Sequence, residues 1–579
     1  MGTESKAPGS TGKRAVFLPL LLVAVVYLLA ASGRAVIDYD EGYYAQAARQ
    51  MIERGDWVTP YANGVRFLEK PPLMYWLTAA SFLILGIHEF ALRLPTALGV
   101  IALVWVVMRT ARRAAGDRAA ILAGTSAAFC AGTFLFTREA LHDIWLVLFV
   151  AVAMCAFLDW YLDPRHSLRP ALLFYVALAG AVLCKSLVGL AFPAGIVAVF
   201  FLLQRDWPGL RTLHLFPGSL AFLALAVPWH ALAAIRNPDF LYAFFMNEQV
   251  LRFFGRHDPP VLWSVPVHVF YGLLLVWFFP WTAFLPAALK SANGPVDKGR
   301  RALGRMSLAW IIVIMGFYTV TAPLEHYAFP VLPALSLLVG LALSDPGNDR
   351  MVKWGFRGLA LLGLLLLAAA AAAGIWLGAT GYEFGEAAST RTDVIRDTDF
   401  SILADMPPPM VRKLIAPALA TVVCMALGFL AALRFEIRRQ RQRAVMSLAL
   451  VMAVVFGMTE WSLRICEDLI SSRKFALAVA AEARPGDRLV VVGDYESANS
   501  LNFYQPLPVQ VVDGVAYALI PGMKFPDAPQ IVLTREEFES LWQGRQRVFA
   551  LLPGARRDDM VPGGTRVLEV LGRKLIRNQ

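Results

Sequence analysis

The sequence predicts a polytopic α-helical membrane protein with about 13 transmembrane helices, further helices on its outer surface and a C-terminal α/β domain. Three observations lead to this architecture. The 579 residues are 58% hydrophobic and only 17% charged, whereas soluble domains are nearer 25% charged. The apolar residues recur in blocks of roughly 20, which suffice for a helix to cross a hydrocarbon core about 30 Å thick. Residues 465–579 replace these blocks by short β-rich runs.

Short basic loops orient the predicted spans, because such loops remain on the cytoplasmic side of a membrane. The clearest basic loops are residues 109–118, 163–170, 290–305, 349–357 and 434–443. The apolar blocks between them predict spans near residues 15–33, 91–108, 119–137, 143–161, 170–185, 187–204, 213–233, 265–289, 307–322, 327–344, 357–379, 412–433 and 444–464. The N-terminus, where no cleavable signal pattern is seen, is then expected in the cytoplasm, and the chain after about residue 465 on the outer face.

The first outer loop, residues 34–90, is predicted to carry two helices that lie along the membrane surface. Residues 71–86 are apolar but short, and counting them as a span would place the next basic loop on the wrong side. Residues 40–54 are amphipathic, with an apolar stripe at helical spacing formed by Tyr43, Tyr44, Ala47, Ala48 and Met51. We expect this stripe to face lipid or the protein core.

Residues 465–579 are predicted to form a domain of their own on the outer face, beside a membrane domain of residues 1–464. Four β-rich runs, "DRLVVVGDY", "VQVVDG", "QIVLT" and "RVFALLP", alternate with the helix-like "SRKFALAVAAEA" and "TREEFESLWQG". Such alternation indicates a small α/β layer. The single glycine of "VVVGDYES" falls far short of a nucleotide-binding fingerprint, so a docking or lid role is expected instead.

Composition argues against several other classes of protein. The net charge of +11 would suggest a nucleic-acid partner for a soluble protein. Here the basic residues lie between apolar blocks, where membrane orientation explains them. The five cysteines are scattered, without the spacing of a disulfide framework or a metal centre. We expect no nucleotide, no redox cofactor and no nucleic acid.

Ionisable side chains gather where the outer face is predicted, and such groups at membrane depth are costly, so they suggest function. Asp38 is interpreted as a helix cap. Asp40, which opens the amphipathic helix, is interpreted as functional, and Asp143, at the start of the fourth span, suits either role. Lys185 either snorkels to the interface or takes part in the site. Lys70 precedes two prolines that keep it out of a helix, at headgroup level, where an ammonium suits a lipid phosphate.

Several stretches together resemble one group of glycosyltransferases. They include "GVRFLEKPPLMYWL", "EFALRLP", "TREALHDIW", "MNEQVLRFFG", "FFPWTAFLPAAL" and "HYAFPVLPALSLL", and the resemblance spans residues 36–340. The group is the GT-C glycosyltransferases of the protein mannosyltransferase type, most closely the bacterial 4-amino-4-deoxy-L-arabinose (aminoarabinose) transferases of lipid A. The resemblance implies the GT-C fold, a monomer in the bacterial inner membrane and an active site at the periplasmic face. It also implies an undecaprenyl-phosphate-linked sugar donor, a lipid A phosphate as acceptor and resistance to polymyxin as the outcome.

The resemblance implies roles for individual residues as well. The active-site carboxylates would be Asp40 and Asp143, with Glu41 as a further candidate. The donor phosphate would be held by Lys70, Arg138, Arg256 and Lys185. The substrate cavity would include Tyr43, Tyr44, Tyr327, Asn247 and Glu248. A divalent metal ion, if one is used, would be bound by Glu69, His257 and His326. Glu325 stands where many relatives carry a basic residue, which puts phosphate contacts from that turn in doubt.

The residues themselves leave part of the chemistry open. A hydroxyl acceptor would require Asp40 as a general base, whereas a phosphate acceptor is already an anion and needs none. The rival hypotheses are another polyprenyl-phosphate sugar transferase such as a protein O-mannosyltransferase, a lipid-linked sugar transporter, and a structural or sensor membrane protein. A transporter predicts polar residues at the bilayer midplane and internal repeats, and neither is evident in the sequence.

Overall fold

The computed structural model describes residues 13–257, 264–292, 297–321, 323–380, 406–552 and 560–579. The helices up to residue 465 are α1 (Lys13–Ala30), α2 (Asp40–Arg54), α3 (Leu73–Leu85), α4 (Glu89–Ala128), α5 (Ala131–Leu135), α6 (Asp143–Leu162), α7 (Leu168–Lys185), α8 (Val188–Gln204), α9 (Leu215–Arg236), α10 (Val267–Trp277), α11 (Leu285–Ala292), α12 (Lys298–Val320), α13 (Leu332–Ser344), α14 (Asp349–Thr380), α15 (Pro408–Ile437) and α16 (Arg441–Ile465). Segment Tyr242–Leu251 is π-helical. A two-stranded ribbon, β1 (Tyr61–Ala62) and β2 (Val65–Arg66), lies in the first loop.

Each predicted span has a helix at its position, which confirms the polytopic helical fold. Among the described residues, nine helices are long and apolar enough to cross a membrane, and ten if α10 and the bent segment after it form one broken span. The predicted number of about 13 is larger for two reasons. Helices α1 and α8 have apolar stretches shorter than a full span, and α4 covers two predicted spans at once.

Helix α4 covers two spans because the chain folds back within it. Gly116 interrupts the helix with φ 85° and ψ 180°, a conformation that is open to glycine and strained for other residues. Beyond the break, a side-chain carbon built on Gly124 would meet the side chains of Met108 and Val104. The two arms of α4 are therefore antiparallel neighbours, as two successive spans should be.

The first loop carries the two predicted helices, α2 and α3, at nearly the predicted bounds. The apolar stripe of α2 faces protein: Tyr43, Ala47 and Met51 are buried in one cluster with Phe475 and Tyr495 of the C-terminal region. The apolar side of α2 thus packs, at least in part, against the C-terminal region of the same chain. Its burial follows from the same amphipathic pattern, because an apolar stripe is stabilised by any apolar partner.

The C-terminal region has the predicted α/β architecture. Its elements are α17 (Glu467–Ile470), α18 (Arg473–Glu482), β3 (Arg488–Val492), α19 (Leu501–Tyr504), β4 (Val509–Val512), α20 (Ile520–Met523), β5 (Val532–Leu533), α21 (Arg535–Gln543), β6 (Val548–Leu552), β7 (Thr565–Val570) and β8 (Arg573–Arg577). The strands form one sheet in the order β5-β4-β3-β6-β8-β7. Strands β3 to β6 pair in parallel, and the hairpin β7–β8 adds antiparallel strands.

The C-terminal region is held against the start of α2 by buried hydrogen bonds. Asp38 accepts from the backbone N–H of Ser500 at 2.8 Å and from the hydroxyl of Ser472 at 2.9 Å. The interpretation of Asp38 as a helix cap is therefore wrong, and the N-cap position of α2 is Tyr39, without a side-chain cap. Burial raises the pKa of Asp38 to about 6, although the Arg573 guanidinium opposes the shift.

Tyr39, directly before α2, has an unfavourable backbone conformation. Its φ is 74° and its ψ is −130°, outside the regions that L-residues ordinarily occupy. Such a conformation costs about 1–3 kcal/mol and persists only where its surroundings hold it in place. Hydrogen bonds on both sides supply this restraint. The Tyr39 N–H donates to the Glu496 carbonyl at 3.0 Å, and the Tyr39 carbonyl accepts from Asn499 Nδ2 at 2.6 Å and from the Tyr43 N–H at 3.3 Å.

Candidate active site

A cavity of about 90 Å³ opens between the first loop, the helix ends at Lys185 and Val188, and the segment around Glu248. Its polar lining combines cations and anions, namely Lys70, Lys185, Arg252, Glu69 and Glu248. Its apolar lining includes Val188, Phe253 and Phe317. The convergence of several polar groups on one cavity is typical of a small-molecule site. The mixed lining suits a ligand that is part charged and part hydrocarbon.

Lys70 lies in the rigid step that the sequence predicts. Residues 69–72 are non-helical and α3 begins at Leu73, because the residue before a proline is kept out of helical conformation. The Lys70 ammonium forms an ion pair with the adjacent Glu69 carboxylate. Burial opposes the charged form, but the carboxylates of Glu69 and Glu248 outweigh it and raise the pKa of Lys70 above its ordinary value. Lys70 is therefore a fixed positive charge in the cavity wall.

Arg252 supplies a second cation to the cavity wall. Its Nη2 donates to the Tyr327 hydroxyl at 2.9 Å, and its Nη1 donates to Glu248 Oε2 at 3.2 Å. His257 Nε2 lies 2.7 Å from Glu248 Oε1. Burial alone would raise the pKa of Glu248, but His257, Lys70 and Arg252 hold it below its ordinary range. This ionised carboxylate keeps the Arg252 guanidinium oriented towards Tyr327.

Asp143 and Lys185 form an ion pair at the outer ends of α6 and α7. Lys185 Nζ lies 2.5 Å from Asp143 Oδ1, and the same ammonium lies 4.9 Å from the centroid of the Tyr327 ring. The pair links two helices to the turn before α13. Lys185 therefore lines the cavity. Its predicted role in binding the donor phosphate stays a prediction.

Asp40 is an accessible carboxylate deep within the protein. Its surface is exposed, yet it is surrounded by enough protein that desolvation raises its pKa to about 6. Asp40 is not among the described residues that line the cavity, but three residues that do line it, Glu69, Lys70 and Lys185, act on its pKa. The Glu69 and Asp143 carboxylates add to the pKa shift, while Lys70 and Lys185 oppose it. At pH 7 such a group is about nine-tenths ionised. Within the described residues, no hydrogen bond or ion pair occupies it.

Two residues expected in the site serve elsewhere as structural charges. Glu41 accepts from Arg93 Nε at 2.7 Å and Nη2 at 2.6 Å, and both side chains are almost completely buried. Arg138 donates to the Ala30 carbonyl at 2.8 Å and to Glu460 at 3.1 Å. Each group is thus engaged by a buried partner, and the roles of Glu41 as an active-site carboxylate and of Arg138 as a phosphate ligand stay predictions.

The predicted cavity residues separate into two groups. Tyr327 and Glu248 line the cavity as expected. Tyr43 instead donates from its hydroxyl to Glu496 at 2.8 Å in the interface with the C-terminal region. Tyr44 packs edge-on against His142, with ring centroids 4.5 Å apart. Asn247 is buried on the π-helical segment. None of these three is among the described residues that line the cavity.

Arg252 lines the cavity, whereas the sequence analysis predicts Arg256 in this role. Arg256 is exposed and is absent from the described lining of the cavity. A usable signal was present, since Glu248 and Arg252 are four residues apart and face each other on one turn of helix. The pair identifies the arginine whose guanidinium is oriented, and therefore the arginine suited to binding an anion.

The residues expected to bind a metal ion do not fit one. Glu69 is paired with Lys70, and His257 with Glu248. His326 packs against the rings of Tyr327 and Phe136. Across the part of the chain that the structure describes, no group of three or more His, Cys, Asp or Glu side chains has metal-binding geometry. We therefore assign no metal ligands.

Comparisons with known proteins show which sequences this chain resembles. Residues 69–231 match a family model described as dolichyl-phosphate-mannose-protein mannosyltransferase. A relative from Pseudomonas aeruginosa, named undecaprenyl phosphate-alpha-4-amino-4-deoxy-L-arabinose arabinosyl transferase, is 31% identical over 61% of this chain and 64% of its own length. One of the same name from Yersinia enterocolitica is 28% identical over 58% of this chain and 60% of its own length. These matches thus span less than two thirds of the relatives.

Solved structures extend the likeness over nearly the whole chain. The crystal structure of ArnT from Cupriavidus metallidurans bound to undecaprenyl phosphate superposes with a TM-score of 0.83 and 26% identity, covering 98% of this chain and 99% of that one. The archaeal oligosaccharyltransferase AglB from Archaeoglobus fulgidus superposes with a TM-score of 0.51, 13% identity and coverage of 93% and 69%. The second likeness concerns the fold alone.

Proposed function

Since this chain is a membrane protein with the GT-C glycosyltransferase fold, we propose that it transfers 4-amino-4-deoxy-L-arabinose from undecaprenyl phosphate to a phosphate of lipid A. The reaction takes place at the periplasmic face of the bacterial inner membrane. The product carries an added ammonium, so lipid A becomes less anionic and binds polymyxin and other cationic peptides less well. The relatives' names and the full-length likeness to ArnT support this choice of donor.

The observation that carries the proposal is that two cations, Lys70 and Arg252, and one accessible carboxylate, Asp40, lie in the same region of the protein. Lys70 and Arg252 line the same cavity, and Asp40 is near enough for the Lys70 ammonium to lower its pKa. A sugar linked to a lipid through phosphate needs a positive clamp on the phosphate and a negative charge near the anomeric carbon. The apolar lining at Val188, Phe253 and Phe317 suits the start of a polyprenyl chain.

The donor phosphate is the leaving group of the reaction. The bond between the anomeric carbon and the phosphate oxygen breaks, and its electron pair remains on undecaprenyl phosphate. Lys70, Arg252 and the Tyr327 hydroxyl stabilise this charge as it develops, which is the usual function of preoriented donors in a water-poor site. Glu248 keeps Arg252 in the required orientation.

The sugar becomes electron-poor as the phosphate leaves. The ionised Asp40 carboxylate stabilises the positive charge that develops at the anomeric carbon, as carboxylates do in glycoside chemistry. An anionic oxygen of the lipid A phosphate then attacks from the opposite face, so the configuration inverts. This acceptor requires no general base, and Asp40 acts by its charge. Asp143, held by Lys185, contributes a second fixed negative charge.

The proposal is tested in a polymyxin-sensitive bacterium that makes the donor but has lost its own transferase. Expression of this chain is expected to add one aminoarabinose to lipid A, detected by mass spectrometry. Asp40→Asn is expected to abolish the addition. Asp468→Asn is the matched control, because Asp468 is an outer-face carboxylate that pairs with Lys474 away from the cavity. Unmodified lipid A with the wild-type chain refutes the choice of donor or acceptor.

The family model also suggests a second candidate, protein O-mannosylation. That reaction uses a hydroxyl acceptor, so Asp40 would have to remove a proton. Supplying the purified protein with a mannosyl-phosphoryl lipid and a serine-containing peptide separates the two functions. Transfer to the peptide would favour mannosylation, whereas transfer of aminoarabinose to lipid A alone supports the proposal above.

A further inference from the structure

We propose that Asn499, in the C-terminal region, is a positioning residue for Asp40, and that the C-terminal region thereby sets the geometry of the reaction. The inference rests on the proposed function only in taking Asp40 as an active-site carboxylate. Asn499 does not touch the cavity. It acts through the backbone immediately before α2, where Asp40 is the first helical residue.

The first link is the hydrogen bond from Asn499 Nδ2 to the Tyr39 carbonyl, at 2.6 Å. That carbonyl belongs to the peptide that joins Tyr39 to Asp40. Tyr39 occupies a backbone conformation that tyrosine avoids, with φ 74° and ψ −130°. The Tyr39 carbonyl also accepts from the Tyr43 N–H, at 3.3 Å, but the bond from Asn499 is the shorter of the two, and its loss lets the peptide relax towards an ordinary conformation. Any such relaxation rotates the peptide that carries Asp40.

The second link is close packing between Asn499 and Gly42. A side-chain carbon built on Gly42 would lie 2.2 Å from Asn499 Oδ1, so only glycine permits this approach. Asn499 itself is completely buried. Its backbone carbonyl also accepts from Gln46 Nε2 at 2.8 Å. Asn499 therefore contacts Tyr39 before the helix, Gly42 in its first turn and Gln46 in its second. These contacts fix the position of the start of α2 along its axis and its rotation about that axis.

The phosphate clamp is independent of this contact. Lys70 precedes α3, Arg252 follows the π-helical segment, and Tyr327 lies before α13. None of the three has a hydrogen bond to Asn499 among the described residues. Loss of Asn499 is thus expected to misplace the carboxylate while leaving the binding of the donor phosphate intact. A displacement of about 1 Å is enough to lower a rate up to 100-fold.

The test compares Asn499→Ala with Asn502→Ala in the purified full chain. Asn502 is a matched control because it lies in the same segment and also contacts the first loop, through Asn63 at 3.1 Å, but not Tyr39. Asn499→Ala is expected to lower kcat about 10- to 100-fold, with KM for the donor within about twofold of wild type. Binding of undecaprenyl phosphate should be unchanged. Asn502→Ala should leave kcat near the wild-type value.

Two further variants separate positioning from simple loss of stability. Tyr39→Gly is expected to restore part of the kcat lost in Asn499→Ala, because glycine adopts positive φ without strain. Gly42→Ala should also lower kcat, since its new side-chain carbon displaces Asn499. Combining Gly42→Ala with Asn499→Ala should be little worse than Asn499→Ala alone, because the clash with the Asn499 amide is gone and only a tight contact with Ser500 N, at 3.1 Å, remains. Gly42→Ala carries the test if Asn499→Ala does not fold.

The proposed function and the positioning role of Asn499 are overturned by different results. Wild-type protein that transfers no sugar overturns the proposed function. Active wild-type protein together with an unaffected Asn499→Ala variant overturns the positioning role alone. So does equal loss in Asn499→Ala and Asn502→Ala, or a failure of Tyr39→Gly to restore any activity.

Discussion

Replacing Glu41 by glutamine tests whether this residue is structural or catalytic. The Glu41 carboxylate accepts two hydrogen bonds from Arg93, at 2.6 and 2.7 Å. It also accepts from the backbone N–H groups of Ile37 at 2.9 Å and Ala140 at 3.1 Å. The side chains of Glu41 and Arg93 are 0% and 2% exposed. Glutamine would place an amide donor against these donors and leave the guanidinium buried without a counter-charge.

The expected loss of stability is about 3–5 kcal/mol, the usual cost of removing one partner of a buried ion pair. The control is Glu53→Gln on the same helix. Glu53 forms an ion pair only with Arg49, four residues away, and its side chain is 47% exposed. Solvent screening reduces such a pair to about 0.3–0.5 kcal/mol. Glu41→Gln should therefore cost about ten times as much stability as Glu53→Gln.

The assay is thermal unfolding of the purified proteins in detergent, together with turnover normalised to folded protein. Glu41→Gln is expected to unfold at a clearly lower temperature than wild type and Glu53→Gln, while the folded fraction keeps its turnover within a few-fold. The reasoning fails if Glu41→Gln unfolds like Glu53→Gln and loses turnover as Asp40→Asn does. Glu41 would then belong to the reaction after all.

Two further predictions concern the cavity itself. Because burial raises the pKa of Asp40 to about 6 and the reaction needs its ionised form, kcat/KM should fall as the pH drops below about 6, approaching tenfold per pH unit; a flat profile from pH 7 to pH 5 would contradict this. Arg252→Ala should weaken binding of undecaprenyl phosphate about 10- to 100-fold, as expected for the loss of a charge-assisted hydrogen bond. Arg256→Ala, an exposed arginine of the same segment, should bind as wild type does, and equal losses in the two variants would count against the assignment of Arg252.

Local patterns in the sequence predicted much of the fold. The apolar blocks predicted the helices, and the start of α2 at Asp40 follows from an amphipathic period that begins there. The hairpin of β7 and β8 was missed because its strands, "TRVLEV" and "RKLIR", are rich in charge. The composition of β7 follows from its place at the edge of the sheet, since edge strands carry charged side chains.

The site was less predictable because its residues are sorted by partners far along the chain. Glu41 is paired with Arg93, 52 positions away, and Arg138 with Glu460, 322 positions away. Neither pairing leaves a periodic trace in the sequence. Lys70 was predictable because its constraint is local, namely the two prolines that follow it.

The hydrogen bonds between Asp38 and Ser500 and between Tyr39 and Asn499 join positions 462 and 460 residues apart. A chain is synthesised from its N-terminus. Asp40 is therefore made early, whereas Asn499 and Ser500, which hold the backbone before it, are made late. The strained peptide before Asp40 cannot be held until nearly every span has been made. The Asp40 carboxylate therefore reaches its final position only at the end of synthesis. Chains truncated before residue 499 should accumulate without an active site that can transfer sugar.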